Sequence, residues 1–138
     1  MSVGQSALDY TTENYIKDNE YHYPNSLKFK LVENIETPSS NIYDAVDFHY
    51  KNGDSKYIIQ SVQGRSTFKD NIEDCYPQMD IIIDDVKNNF NYLSFGDKEK
   101  LNHNGDSSGK SHYTSAYFEF ISGYVIVQCY DYSKEYGY

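Results

Sequence analysis

The chain has 138 residues with 21 acidic side chains against 12 Lys and Arg, a formal net charge of −9. That length sets one domain as the expectation and is enough to bury a core without cross-links. The charge argues against a nucleic-acid partner, because phosphate neutralisation requires a basic face, and no apolar run approaches the ~20 residues of a bilayer span.

Sixteen Tyr and seven Phe supply ring area that a hydrophobic fraction of 38% understates. Residues 1–25 are polar and weakly patterned, with Tyr10, Tyr15, Tyr21 and Tyr23 among Asp9, Glu13, Asp18 and Glu20. They read as a mobile or loosely docked N-terminal arm ahead of a single domain over 26–138. Residues 1–15 have no basic start and no apolar stretch, so no signal peptide is expected. A mature secreted chain given a starting Met reads the same way.

Leu27, Phe29 and Leu31 alternate with Lys28 and Lys30, the pattern of a half-buried strand. Residues 36–40 break it. Two alternating runs, 43–50 and 57–63, then flank Asn52-Gly53, a strong hairpin signal. That turn places Phe48 opposite Tyr57 and Val46 opposite Ile59.

After Gly64 the period changes. Phe68, Ile72, Cys75, Met79, Ile82 or Ile83, Val86 and Phe90 recur at steps of three and four, one apolar helical stripe. Thr67 with Asp70 resembles a capping box at its start. Pro77 is expected to kink the helix or to sit in the first turn of a second one. Residues 96–111 read as a polar loop. Runs 113–121 and 124–132 flank Ser122-Gly123 as a second hairpin, pairing Phe120 with Val125, Phe118 with Val127 and Ala116 with Cys129. The opposite face carries Tyr117, Glu119, Tyr124, Ile126, Gln128 and Tyr130. The order β-β-β-α-(β)-β-β predicts an α+β fold: an antiparallel sheet of about five strands with one long, Pro-kinked helix packed on one face.

Cys75 lies on the helical stripe and Cys129 on the buried face of the last hairpin, so the two are expected to be neighbours. They form either a disulfide, which implies an oxidising, extracytoplasmic compartment, or two buried thiols behaving as small hydrophobes.

Several motifs resemble known chemistry and depart from it. Residues 104–111, Asn-Gly-Asp-Ser-Ser-Gly-Lys-Ser, resemble a phosphate-binding loop. They have Asn104 where the first Gly belongs, and a strand rather than a helix follows Lys110-Ser111. Gly105-Asp106-Ser107-Ser108-Gly109 resembles the surroundings of a serine-protease nucleophile, without the positioned His and Asp it needs. His22, His49, His103 and His112 fall at no metal-ligand spacing, with His49 expected opposite Lys56. Asp80 and Asp84 share a helix face that reads as solvated. No metal site and no cofactor are expected. Arg65 is the single arginine. With Ser66 and Thr67 at the expected helix start, it could hold an anion, or it could simply pair with a nearby acid.

The most distinctive feature is the tyrosines opposite the presumed core. Tyr is favoured at interfaces because it buries area at low entropy cost. A covering segment would also account for them. The leading expectation is a non-catalytic binding protein, inhibitor- or immunity-like. It presents an acidic face with Tyr117, Glu119, Tyr124 and Tyr130 to a basic protein. The alternatives are a small enzyme with an anion site near Arg65 and His49 or His112 as proton-transfer group, or a secreted domain held by one disulfide.

Overall fold

The structure, a computed structural model, describes residues 1–24, 27–35, 43–68 and 71–136. The fold is α+β with antiparallel sheets, but the strands form two sheets, of four and of three, rather than one. Each sheet belongs to its own compact unit, Met1–Thr67 or Phe68–Tyr138, where a single domain over 26–138 was expected.

The first unit contains a 3-10 turn (Ala7–Asp9), α1 (Glu13–Asn19), β1 (Glu20–His22), β2 (Phe29–Val32), β3 (Ala45–Lys51) and β4 (Ile59–Arg65), with the strands in the order β1-β2-β3-β4. The expected N-terminal arm is built into this unit. Thr12 caps α1, its hydroxyl accepting from the Tyr15 amide at 3.2 Å. Seven residues make too short a helix to stand alone. Packing supplies what length does not: Ala7 and Ile16 are fully buried with Val32, Phe48 and Ile59. Burying Ile16 alone is worth about 2 kcal/mol. Two isolated apolar residues show no period, which is why this segment looks unstructured in sequence.

Two registers differ from expectation. Phe48 lies opposite Val62 and Tyr50 opposite Ile59, with an irregularity between His49 and Tyr50. The Asp54 carboxylate accepts from the amides of Lys56 and Ile58, at 2.9 and 3.0 Å. That turn takes up residues 54–58 and pushes the pairing along β4. In β2 the inward face carries Lys30 and Val32, not Leu27, Phe29 and Leu31, because Val32 pairs with Phe48. Lys30 tolerates the inward position because its ammonium lies 2.7 Å from Glu20.

The second unit opens with a 3-10 turn at Ile72–Asp74 and α2 at Cys75–Asn89, followed by β5 (Ser94–Asn102), β6 (His112–Phe120) and β7 (Gly123–Asp131) in that sheet order. Pro77 sits in the first turn of α2, where its missing N–H would have no helical partner anyway. The helical start lies beyond Thr67, whose amide donates instead to Asp44 at 2.6 Å; Asp70 lies outside the described residues. The middle of the stripe is buried, Met79, Ile83 and Val86 with Ala116, Phe118, Val127 and Cys129, whereas Phe90, expected on it, is the C-cap of α2 and 57% exposed. The expected loop at 96–111 is β5 over its first part. Its alternation is hidden because much of the strand is exposed. The last hairpin pairs Phe118 with Val125 and Ala116 with Val127, two residues from the expected register, with Ile121-Ser122 as the turn. A shift of two keeps every side chain on its face, so the core assignment survives. Cys75 and Cys129 are bonded, with their Cα atoms 6.0 Å apart. Among the described residues no helix is long and apolar enough to cross a membrane.

Candidate functional sites

The outer face of the three-stranded sheet is aromatic. Opposed across β6 and β7 are Glu119 and Tyr124, Tyr117 and Ile126, Ser115 and Gln128, and Tyr113 and Tyr130. The four residues singled out in the sequence, Tyr117, Glu119, Tyr124 and Tyr130, therefore share one surface. Tyr124 is 66% exposed, Ile126 45%, Tyr130 41% and Tyr117 39%. Tyr117 stacks on Tyr124 with centroids 5.9 Å apart, and Tyr113 on Tyr130 at 5.4 Å. The stack continues through Tyr132 to Tyr136 at 5.6 and 5.8 Å. His103 closes its end, edge-on to Tyr132 and Tyr136. Gly105 permits this closure, since a Cβ there would lie 2.5 Å from the Tyr136 hydroxyl.

Sequence reasoning missed the part played by His103, which reaches the stack from a loop, and by Tyr136, which reaches it from the 3-10 turn Lys134–Tyr136; neither carries a periodic signal. Tyr132 was legible, because it follows Tyr130 by two. Partial burial, with the neighbouring Tyr113 phenol, pushes the Tyr130 pKa up. Its hydroxyl donates to Gln128 at 3.0 Å. Tyrosine rings on a packed sheet present rigid, amphipathic area for contact.

The loop that resembles a phosphate-binding motif is organised around a carboxylate. Asp106 accepts from the Ser108 amide and from both the amide and hydroxyl of Ser111. These bonds, from Ser111 and Ser108 above all, hold its pKa well below the usual carboxylate range. Amides that would cradle phosphate thus point at an internal anion. Lys110 pairs with Glu135 at 2.5 Å.

In the first unit, Arg65 is the last residue of β4, with Ser66 and Thr67 just after it, and among the described residues no helix begins at this position. The Arg65 guanidinium binds Asp47 through both carboxylate oxygens, at 2.5 and 3.0 Å, and the Asn34 side chain at 3.1 Å. Asp47 is 2% exposed. Pairing with a nearby acid is thus the role the geometry gives Arg65.

On the same sheet face His49 lies opposite Ser61, not Lys56. Ser61 Oγ is 2.8 Å from His49 Nδ1, and the Tyr23 hydroxyl is 2.8 Å from Nε2. Burial pushes the His49 pKa down, partly opposed by the Asp47 charge. His112 begins β6 in the other unit. Asp80, on α2, pairs with Lys98 at 2.6 Å. Among the described residues no group of three or more His, Cys, Asp or Glu side chains is placed to hold a metal ion.

No protein family, curated protein or solved structure matches this chain.

Proposed function

We propose that the chain is a non-catalytic binding protein that presents the tyrosine-rich face of the β5-β6-β7 sheet to a basic protein partner, in the manner of an inhibitor or immunity protein. The observation that carries this reading is the exposed, contiguous aromatic surface on a cross-linked scaffold. An exposed patch of large rings is a frequent mark of protein contact. From Phe68 onward the sequence also holds twelve acidic side chains against six lysines, which favours a positive partner. The disulfide supports action in an oxidising compartment.

The test is affinity capture from native lysate with the wild-type chain and with a Tyr117→Ser, Tyr124→Ser variant. A stoichiometric basic protein, lost with the variant and weakened by salt, is the expected result. Equal capture by both chains would place the interface elsewhere.

A second reading rests on the Tyr23–His49–Ser61 arrangement. A neutral imidazole within hydrogen-bond reach of a serine hydroxyl, held at its other nitrogen by a phenol, is a base beside a nucleophile. This supports a small enzyme on the first unit's outer face, with His49 as the proton-transfer group.

A further inference from the structure

The two edges of the three-stranded sheet are treated very differently. β5 is irregular between Gly96 and Glu99 and carries Asp97, Lys98, Glu99 and Lys100 in succession. Charge, lysine and a break in register are the devices by which natural sheets block pairing with another chain. β7 has no lysine and no break in register, and its one charged residue, Asp131, is its last. It pairs with β6 over nine consecutive residues without a bulge, and Gly123 to Tyr130 contains no charged residue and no proline. A long, flat, apolar edge is a template for another strand.

We infer that β7 pairs edge to edge, antiparallel, with β7 of a second copy of this chain, joining two three-stranded sheets into one of six. The occupant follows from symmetry and charge. A two-fold axis through Val127 sets Val127 against itself, Ile126 against Gln128 of the copy, Val125 against Cys129 and Tyr124 against Tyr130. Odd residues meet odd and even meet even, so both faces stay consistent, whereas a slip of one residue would set buried against exposed side chains. Asp131 falls opposite Gly123, so a chain of net charge −9 meets its copy here without opposing acids.

Two observations on the faces agree with this. Val125 points to the core side opposite fully buried Phe118, yet is 36% exposed, so this side of the core has room for a neighbour. On the other side, the stacked pairs Tyr117–Tyr124 and Tyr113–Tyr130 each run from β6 to β7. Pairing Tyr124 with Tyr130 of the copy puts their Cβ atoms about 5 Å apart. The two half-ladders then become one aromatic surface, which neither copy completes alone. This inference stands independently of the partner proposed above.

The experiment is sedimentation equilibrium of the full oxidised chain across concentration and salt, followed by photo-oxidative dityrosine cross-linking and peptide mapping. A dimer that persists in high salt is expected, with Tyr124 cross-linked to Tyr130. Within one strand those residues are six positions, about 20 Å, apart, so that link can form only between copies. Ile126→Lys, on the exposed face, should raise the dimer dissociation constant at least about tenfold. A chain that stays monomeric at high concentration overturns the inference. So does a dimer lacking the Tyr124–Tyr130 link, whether or not the Ile126→Lys chain folds.

Discussion

Reducing the Cys75–Cys129 bond tests how the second unit is held together. The bond joins residues 54 positions apart, from the first turn of α2 to β7. Closing a loop of that length removes about 4 kcal/mol of chain entropy from the unfolded state. Cys129 is 2% exposed and sits among Met79, Ile83 and Phe118, so the bridge lies within the core it reinforces. In a unit of this size each kcal/mol shifts the melting temperature by roughly 4–8 °C. Loss of the bond should therefore lower the midpoint of this unit by roughly 15–30 °C. Thermal denaturation followed by circular dichroism, with and without reductant and on Cys75→Ser, Cys129→Ser, measures it. The reasoning fails if the midpoint moves by no more than a few degrees. It fails sooner if denatured protein purified without reductant titrates two free thiols.

Arg65→Ala should destabilise the first unit by about 2 kcal/mol in urea titration, because it takes the guanidinium from the buried Asp47 carboxylate; the Asn34 amide still donates to that carboxylate and Arg65 itself is half exposed, which keeps the loss below that of a fully buried pair. For Glu20, burial opposes ionisation, but hydrogen bonds from Lys30 and Tyr50 outweigh it and hold the carboxyl below its ordinary value. The folded form thus releases its proton at lower pH, and the stabilisation is complete above the unfolded carboxylate range and lost as pH falls through the folded value. Glu20→Gln should flatten the acid limb of the stability profile measured by urea midpoint against pH. On the enzymatic reading, a fluorophosphonate probe should label Ser61, and His49→Gln should abolish labelling; an unlabelled Ser61 in folded protein removes that reading. ATP and GTP should show no binding at residues 104–111 by calorimetry, since Asp106 already occupies the Ser108 and Ser111 amides; binding that disappears with Lys110→Ala would contradict this.

The α+β class, the stripe through Met79, Ile83 and Val86, the meeting of Cys75 with Cys129 and the common face of Tyr117, Glu119, Tyr124 and Tyr130 were all legible in the sequence. Each rests on a local period, 3.6 for the helix and 2 for the strands, and a period survives a register error of two. The chain does not advertise how far each pairing extends. Whether the strands make one sheet or two, whether residues 1–24 are an arm or part of a core, and which carboxylate Arg65 meets all depend on partners far away in sequence. Ala7 and Ile16 look like stray apolar residues until β3 and β4 provide a surface to bury them. Asp54 looks like an ordinary turn acid until its carboxylate captures two amides and sets the register of β4. His49 meets Ser61 only because that register is the one formed. Period is a property of a few neighbouring residues, but burial and hydrogen-bond satisfaction are settled by the whole unit, so those choices belonged to the tertiary structure.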